Sequence, residues 1–106
     1  MTRIYKDRYG KWHAETRFAL DEDRVLEIHT RKTERGELVT YATVSTVKDG
    51  YKTHRVFQDY SKCLAADKVR CDVKNVTHQH DKVVSMIDTL RADVMRHYNN
   101  EPALVA

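Results

Sequence analysis

The stretch Val25-Leu26-Glu27-Ile28-His29-Thr30-Arg31-Lys32-Thr33-Glu34-Arg35-Gly36-Glu37-Leu38-Val39-Thr40-Tyr41-Ala42-Thr43-Val44 decides the fold. Apolar and polar residues alternate on both sides of Thr33-Glu34-Arg35-Gly36, which is the period of a half-buried strand. A type I turn followed by a left-handed residue makes a three-residue hairpin loop, and glycine takes the left-handed position without a Cβ clash. With Glu34, Arg35 and Gly36 as the loop, Leu26 faces Val44, Ile28 faces Ala42 and Thr30 faces Thr40. Apolar residues then meet apolar residues on one face, as a correct register requires.

Similar phrases recur at Asp7-Arg8-Tyr9-Gly10 and Val47-Lys48-Asp49-Gly50. The first sets Ile4 opposite Ala14. A five-residue connection at Asp21–Val25 sets Phe18 opposite Ile28 and Leu20 opposite Leu26. The third phrase puts Val56 opposite Ala42 and turns Phe57 to the other face, whereas a two-residue Asp49-Gly50 turn would reverse that strand. Strands are thus predicted at Arg3–Lys6, Lys11–Leu20, Val25–Lys32, Glu37–Val47 and Tyr51–Tyr60. One face carries Ile4, Trp12, Ala14, Phe18, Leu20, Leu26, Ile28, Leu38, Ala42, Val44 and Val56.

Such a face needs a cover. From Val73 onward apolar residues recur at Val76, Val83, Ile87, Leu90 and Val94, with His80 in the series and Tyr98 just beyond. These spacings of three and four predict one helix over residues 73–98, with Asp72 as N-cap and Asn99, Asn100 and Pro102 as the stop. It would be about 39 Å long, enough to cross a sheet of ten-residue strands. A coiled-coil seam would show the same stripe, but the sheet has no other helix to cover it. Residues 61–71 read either as a short helix from Ser61 or as an irregular crossover, and 101–106 as a loose tail. The expected architecture is a single α+β domain over residues 1–100: an antiparallel meander of about five strands with one long C-terminal helix across one face.

Composition narrows the function classes. Nineteen basic and sixteen acidic residues give a net charge of +3. The excess falls in residues 1–55, with 12 basic and 9 acidic residues, too sparse for the basic stripe of a committed nucleic-acid binder. Cys63 and Cys71 read as reduced thiols in a chain without a secretion signal, and no window is apolar enough to span a membrane. A cytoplasmic protein is expected. His78 and His80 lie two apart, so on a helix they project about 200° from one another and cannot share an ion. No Cys-x-x-Cys or His-x-x-x-His spacing accompanies them, so no metal is expected. His80 instead reads as a hydrogen-bonded, partly buried imidazole. There is no phosphate loop, nucleophile elbow or acid/base carboxylate pair, and the three glycines are used in turns. Neither an enzyme nor a cofactor is expected.

The uncovered sheet face holds the candidate site. The registers above line up Arg17, His29, Tyr41 and Phe57 in one row, and Glu15, Arg31, Val39 and Asp59 in the next. Tyr5 and His13 lie towards one edge. Tyrosine and arginine are the residues most often found as interface anchors, so Arg17, His29, Arg31, Tyr41, Phe57 and His13 form the candidate partner-binding set. They point to a small non-catalytic binding protein that occupies a protein partner's surface, of the sort carried by phages and mobile elements, including anti-CRISPR inhibitors. The expected partner is a protein or nucleoprotein complex rather than a membrane. An unpaired first or last strand leaves both monomer and homodimer open.

A second reading rests on Tyr5-Lys6-Asp7-Arg8-Tyr9-Gly10-Lys11-Trp12-His13-Ala14. These ten residues, through Gly10, Lys11, Trp12 and Ala14, resemble the first hairpin of integrase arm-binding and AP2-like DNA-binding domains. The resemblance implies a sheet lying in the major groove, with Lys11, His13, Arg17, His29 and Arg31 directed at nucleic acid. This chain departs from that pattern in its longer later strands and in a helix that follows five strands rather than three.

Overall fold

Local turn chemistry builds the sheet. The computed structural model describes residues 2–47 and 55–105, with side chains over 2–46 and 60–98. Its strands are β1 (Thr2–Lys6), β2 (Trp12–Ala19), β3 (Arg24–Lys32), β4 (Leu38–Val47) and β5 (Arg55–Asp67), antiparallel and in sequence order. Gly10 and Gly36 take φ of 79° and 82°. The Gly36 amide donates to Thr33 O at 3.0 Å and the Thr33 amide to Glu37 O at 2.8 Å, which closes the expected three-residue loop. The Gly10 loop closes in the same way between Asp7 and Lys11, and Asp7 Oδ1 accepts the amides of Tyr9 and Lys11. The third glycine phrase and the Tyr51 start of the last predicted strand fall largely in 48–54, outside the described residues.

The pairings Leu26↔Val44, Ile28↔Ala42, Thr30↔Thr40 and Ile4↔Ala14 are as expected. Two other registers differ. Phe18 lies opposite Leu26, not Ile28. Asp21 Oδ1 accepts the amides of Asp23 and Arg24, and the Leu20 amide donates to Arg24 O. This Asx turn shortens the connection from five residues to three and shifts the pairing by two, so each face is preserved. The other difference is in β5, where Lys62 rather than Val56 lies opposite Ala42. The ambiguous residues 61–67 are strand, paired along β4 as far as Leu38↔Asp67. Irregularities between Thr40 and Tyr41, Val44 and Ser45, and Thr46 and Val47 accompany this longer pairing.

The expected single helix is divided into α1 (Val73–Val84) and α2 (Ile87–Val105). Asp72 caps α1 by accepting the Asn75 amide at 2.8 Å. At the junction the Ser85 hydroxyl donates to Lys82 O at 2.6 Å and the Met86 amide donates to Val83 O. These i→i−3 bonds tighten the last turn and end α1 at about the midpoint of the expected helix. The backbone of α2 carries on through Asn99, Asn100 and Pro102 to Val105, past the expected stop and through the expected loose tail. Asparagine and proline there weaken a helix without obliging it to end.

Helices and sheet enclose two apolar clusters. The larger joins Leu26, Ile28, Ala42 and Val44 to Val83, Leu90, Val94 and Tyr98; the smaller joins Ala14 and Leu38 to Val76. A polar seam runs between them. His80, fully buried, bonds Thr16 Oγ1 through Nε2 at 2.7 Å and Thr30 Oγ1 through Nδ1 at 2.8 Å. Thr30 bonds Thr40 at 2.7 Å, and Gln79 Nε2 donates to Thr40 Oγ1 and Leu38 O. Gln79 can only donate through that nitrogen, and each threonine hydroxyl can donate once and accept twice, so the seam matches both ring nitrogens of a neutral imidazole. Burial disfavours the charged form of that ring, so the seam holds His80 neutral. Expected as partly buried, His80 sits instead at the middle of the core.

Candidate functional site on the outer sheet face

On the face away from the helices, alternation along the strands brings charged and aromatic residues together. Register places Arg3 opposite Glu15, Glu15 opposite His29, and His29 opposite Tyr41, with Cys63 beyond. Tyr5 lies opposite His13, and Arg31 opposite Val39. The sequence-predicted neighbours His29 and Tyr41 are therefore brought together, but Arg17 moves to the next row, opposite Glu27. Glu15 takes the place assigned to Arg17 because the β2–β3 turn is two residues shorter. Phe57 lies opposite Thr46, away from Tyr41; its side chain and that of Asp59 lie outside the described residues.

The rings pair across strands. Tyr5 and His13 stack with centroids 5.0 Å apart and planes 5° from parallel. His29 and Tyr41 stack at 5.0 Å and 19°. The Arg3 guanidinium carbon lies 4.4 Å from the Tyr5 centroid, and that of Arg31 lies 5.8 Å from the Tyr41 centroid. Charges are matched in place. Arg3 Nη1 donates to Glu15 Oε1 at 3.2 Å, Arg17 Nε lies 3.5 Å from Glu27 Oε2, and His29 Nδ1 lies 3.8 Å from Glu15 Oε2. His13 Nε2 donates to Asp7 Oδ2 at 2.7 Å. That bond, with the Lys11 and Tyr9 amides, holds the Asp7 carboxyl down at about 2. Burial, reinforced by the Glu15 carboxylate, pushes the Tyr5 phenol up, so it stays a neutral donor.

Between the two ring pairs lies a groove of about 430 Å³, within the size range of small-ligand and peptide pockets. His13, His29, Arg31 and Tyr41 of the predicted set line it, joined by Tyr5, Glu15, Thr43 and Ser61. Arg17 does not. Thr43 and Ser61 are additions: Thr43 reads as an ordinary strand residue, and Ser61 belonged to the unassigned stretch. Part of this outer face is closed to solvent, with Glu27, Thr43 and Ser45 all buried. Among the described residues, Thr43 Oγ1 and Ser45 Oγ have no hydrogen-bond partner.

Among the described residues no three His, Cys, Asp or Glu side chains converge to hold a metal ion. Cys63 and Cys71 are free thiols, the latter half-buried and donating to Trp12 O at 3.5 Å. No helix among the described residues is long and apolar enough to cross a membrane. The first hairpin forms around Gly10 as the DNA-binding resemblance implies, but two of the residues it directs at nucleic acid, His13 and Arg17, face carboxylates. Comparison with protein-family models, curated proteins and solved structures finds no match to the chain.

Proposed function

We propose that the chain is a non-catalytic, cytoplasmic binding protein whose outer sheet face occupies the surface of a partner protein, in the manner of small inhibitors carried by phages and mobile elements, anti-CRISPR proteins among them. The observation that carries this reading is the state of the rings and charges before any partner arrives. Tyr5 and Tyr41 each stack on a histidine of the neighbouring strand, and Arg3 and Arg17 already face carboxylates. Side chains held in this way lose little freedom on docking, which favours tight association. A single-strand binder needs open ring faces for bases and a run of unpaired cations for phosphates. Here the Tyr5 and Tyr41 rings are stacked on neighbours, and on this face Arg3 and Arg17 are matched by carboxylates.

The test is photo-crosslinking in the cells of origin. A photoreactive amino acid replaces Ser61, exposed beside the groove, or Lys74, exposed on α1. The reading predicts a protein adduct from position 61 that Tyr41→Ala removes, and none from position 74. Adducts to nucleic acid alone, or from position 74 alone, overturn it.

A further inference from the structure

We propose that the outer groove receives an acidic segment of the partner protein, with one of its carboxylates pairing with Arg31. The proposal rests on the reading of the outer face as the binding surface. Arg31 is exposed at the groove and, among the described residues, has no ion pair and no hydrogen bond; its guanidinium carbon lies 5.8 Å from the Tyr41 ring centroid. It stands apart from Arg3 and Arg17, each set against a glutamate. A guanidinium held near a ring is oriented for bidentate pairing with a planar carboxylate.

Donors dominate the rest of the groove. Tyr5, Tyr41 and Ser61 bring hydroxyls, and among the described residues the one lining carboxylate, Glu15, is engaged by Arg3 and lies 3.8 Å from His29. Thr43 Oγ1 supplies an independent indication. It belongs to a groove-lining residue that is only 3% exposed, and it has no hydrogen-bond partner among the described residues. A buried hydroxyl without a partner costs stability, and a ligand atom reaching the groove floor would satisfy it. One unmatched cation among neutral donors suits a carboxylate flanked by peptide carbonyls. A nucleic-acid backbone repeats its charge at every nucleotide and would meet Glu15 and Asp7 as well.

The experiment is selection of a phage-displayed random peptide library on the full chain, followed by affinity measurement of the enriched peptides. Wild type is compared with Arg31→Glu, Arg31→Lys, Tyr41→Ala and Thr43→Val, each checked for native circular dichroism. The expected result is enrichment of peptides carrying Asp or Glu. Arg31→Glu should weaken them about tenfold or more and Arg31→Lys less, as for loss of a charged interface anchor. Thr43→Val should weaken them a few-fold without lowering the melting temperature. Peptides that respond to Tyr41→Ala but not to Arg31→Glu overturn the acidic segment while leaving the outer face as the binding surface. A library yielding no binder sensitive to either substitution, or binding confined to a labelled single-stranded oligonucleotide tested alongside, overturns both.

Discussion

Replacing His80 by phenylalanine tests the polar seam on which the two halves of the core meet. The imidazole is fully buried and bonds two threonines, at 2.7 and 2.8 Å. Phenylalanine fills the site with a slightly larger apolar ring and removes both bonds. Thr16 retains Thr2 at 2.7 Å and Thr30 retains Thr40, so neither hydroxyl is fully orphaned. The cost should therefore lie near the lower end for a lost buried bond, about 1–1.5 kcal/mol each, or about 2–3 kcal/mol together. For a chain of this length that lowers the melting temperature by roughly 10 °C.

The same substitution has a pH signature. Burial disfavours the imidazolium, so the His80 pKa is lowered in the folded state from its ordinary 6.5. Between the two pKa values the unfolded chain binds a proton that the folded chain does not. The stabilisation is therefore complete above the unfolded value and shrinks as pH falls towards the folded one, by up to about 1.4 kcal/mol per pH unit. Urea unfolding followed by circular dichroism from pH 8 to pH 5 should show the advantage of wild type over His80→Phe narrowing below about pH 6.5. The surface histidines cancel in that difference, being common to both proteins. A difference that stays flat, or grows on acidification, refutes the neutral-imidazole seam.

Two further predictions concern the hairpins. Gly36 takes φ of 82° with open space where a Cβ would stand, so Gly36→Ala should cost about 1 kcal/mol through backbone strain alone, and Gly36→Asn less, by urea unfolding. Asp7 holds the first turn with a carboxyl at about 2, below its ordinary 3.8, so its stabilisation is present above pH 4 and lost as pH falls towards 2. Asp7→Asn should abolish that acid-range dependence, read by thermal unfolding between pH 5 and pH 2.

The hairpin around Gly36 was legible because turn geometry and two apolar faces agree on one register, and the stacked His29–Tyr41 pair and the Arg31–Val39 pair follow from it. The β2–β3 register was not, since the alternation tolerates a shift of two and only the Asp21 side chain, accepting two amides, decides between them. That shift moved Arg17 off the groove and put Glu15 beside His29. The β4–β5 register was tied to Gly50, whereas the pairing runs on to Ala65 and Asp67 past an irregularity at Leu64, and Leu64 and Ala65 pack on the core from a stretch that alternation leaves ambiguous. The helix stripe hid its break because Ser85 ends α1 through a local bond while the apolar spacing continues through Ile87 and Leu90. The seam left a trace: Thr30 opposite Thr40 on the apolar face, beneath a helix stripe interrupted by Gln79-His80.

The central claim is that stacked rings and matched charges make the outer face a protein-binding rather than a phosphate-binding surface. The most direct measurement is fluorescence anisotropy of labelled duplex DNA, single-stranded DNA and RNA titrated with the full chain at low and physiological salt. The account predicts no tight binding at physiological salt, and at low salt only weak association, which the Arg17→Glu, Arg31→Glu double variant lowers no more than two charge reversals placed away from the outer face do. Tight binding that falls steeply with salt and is abolished by that double variant would contradict it.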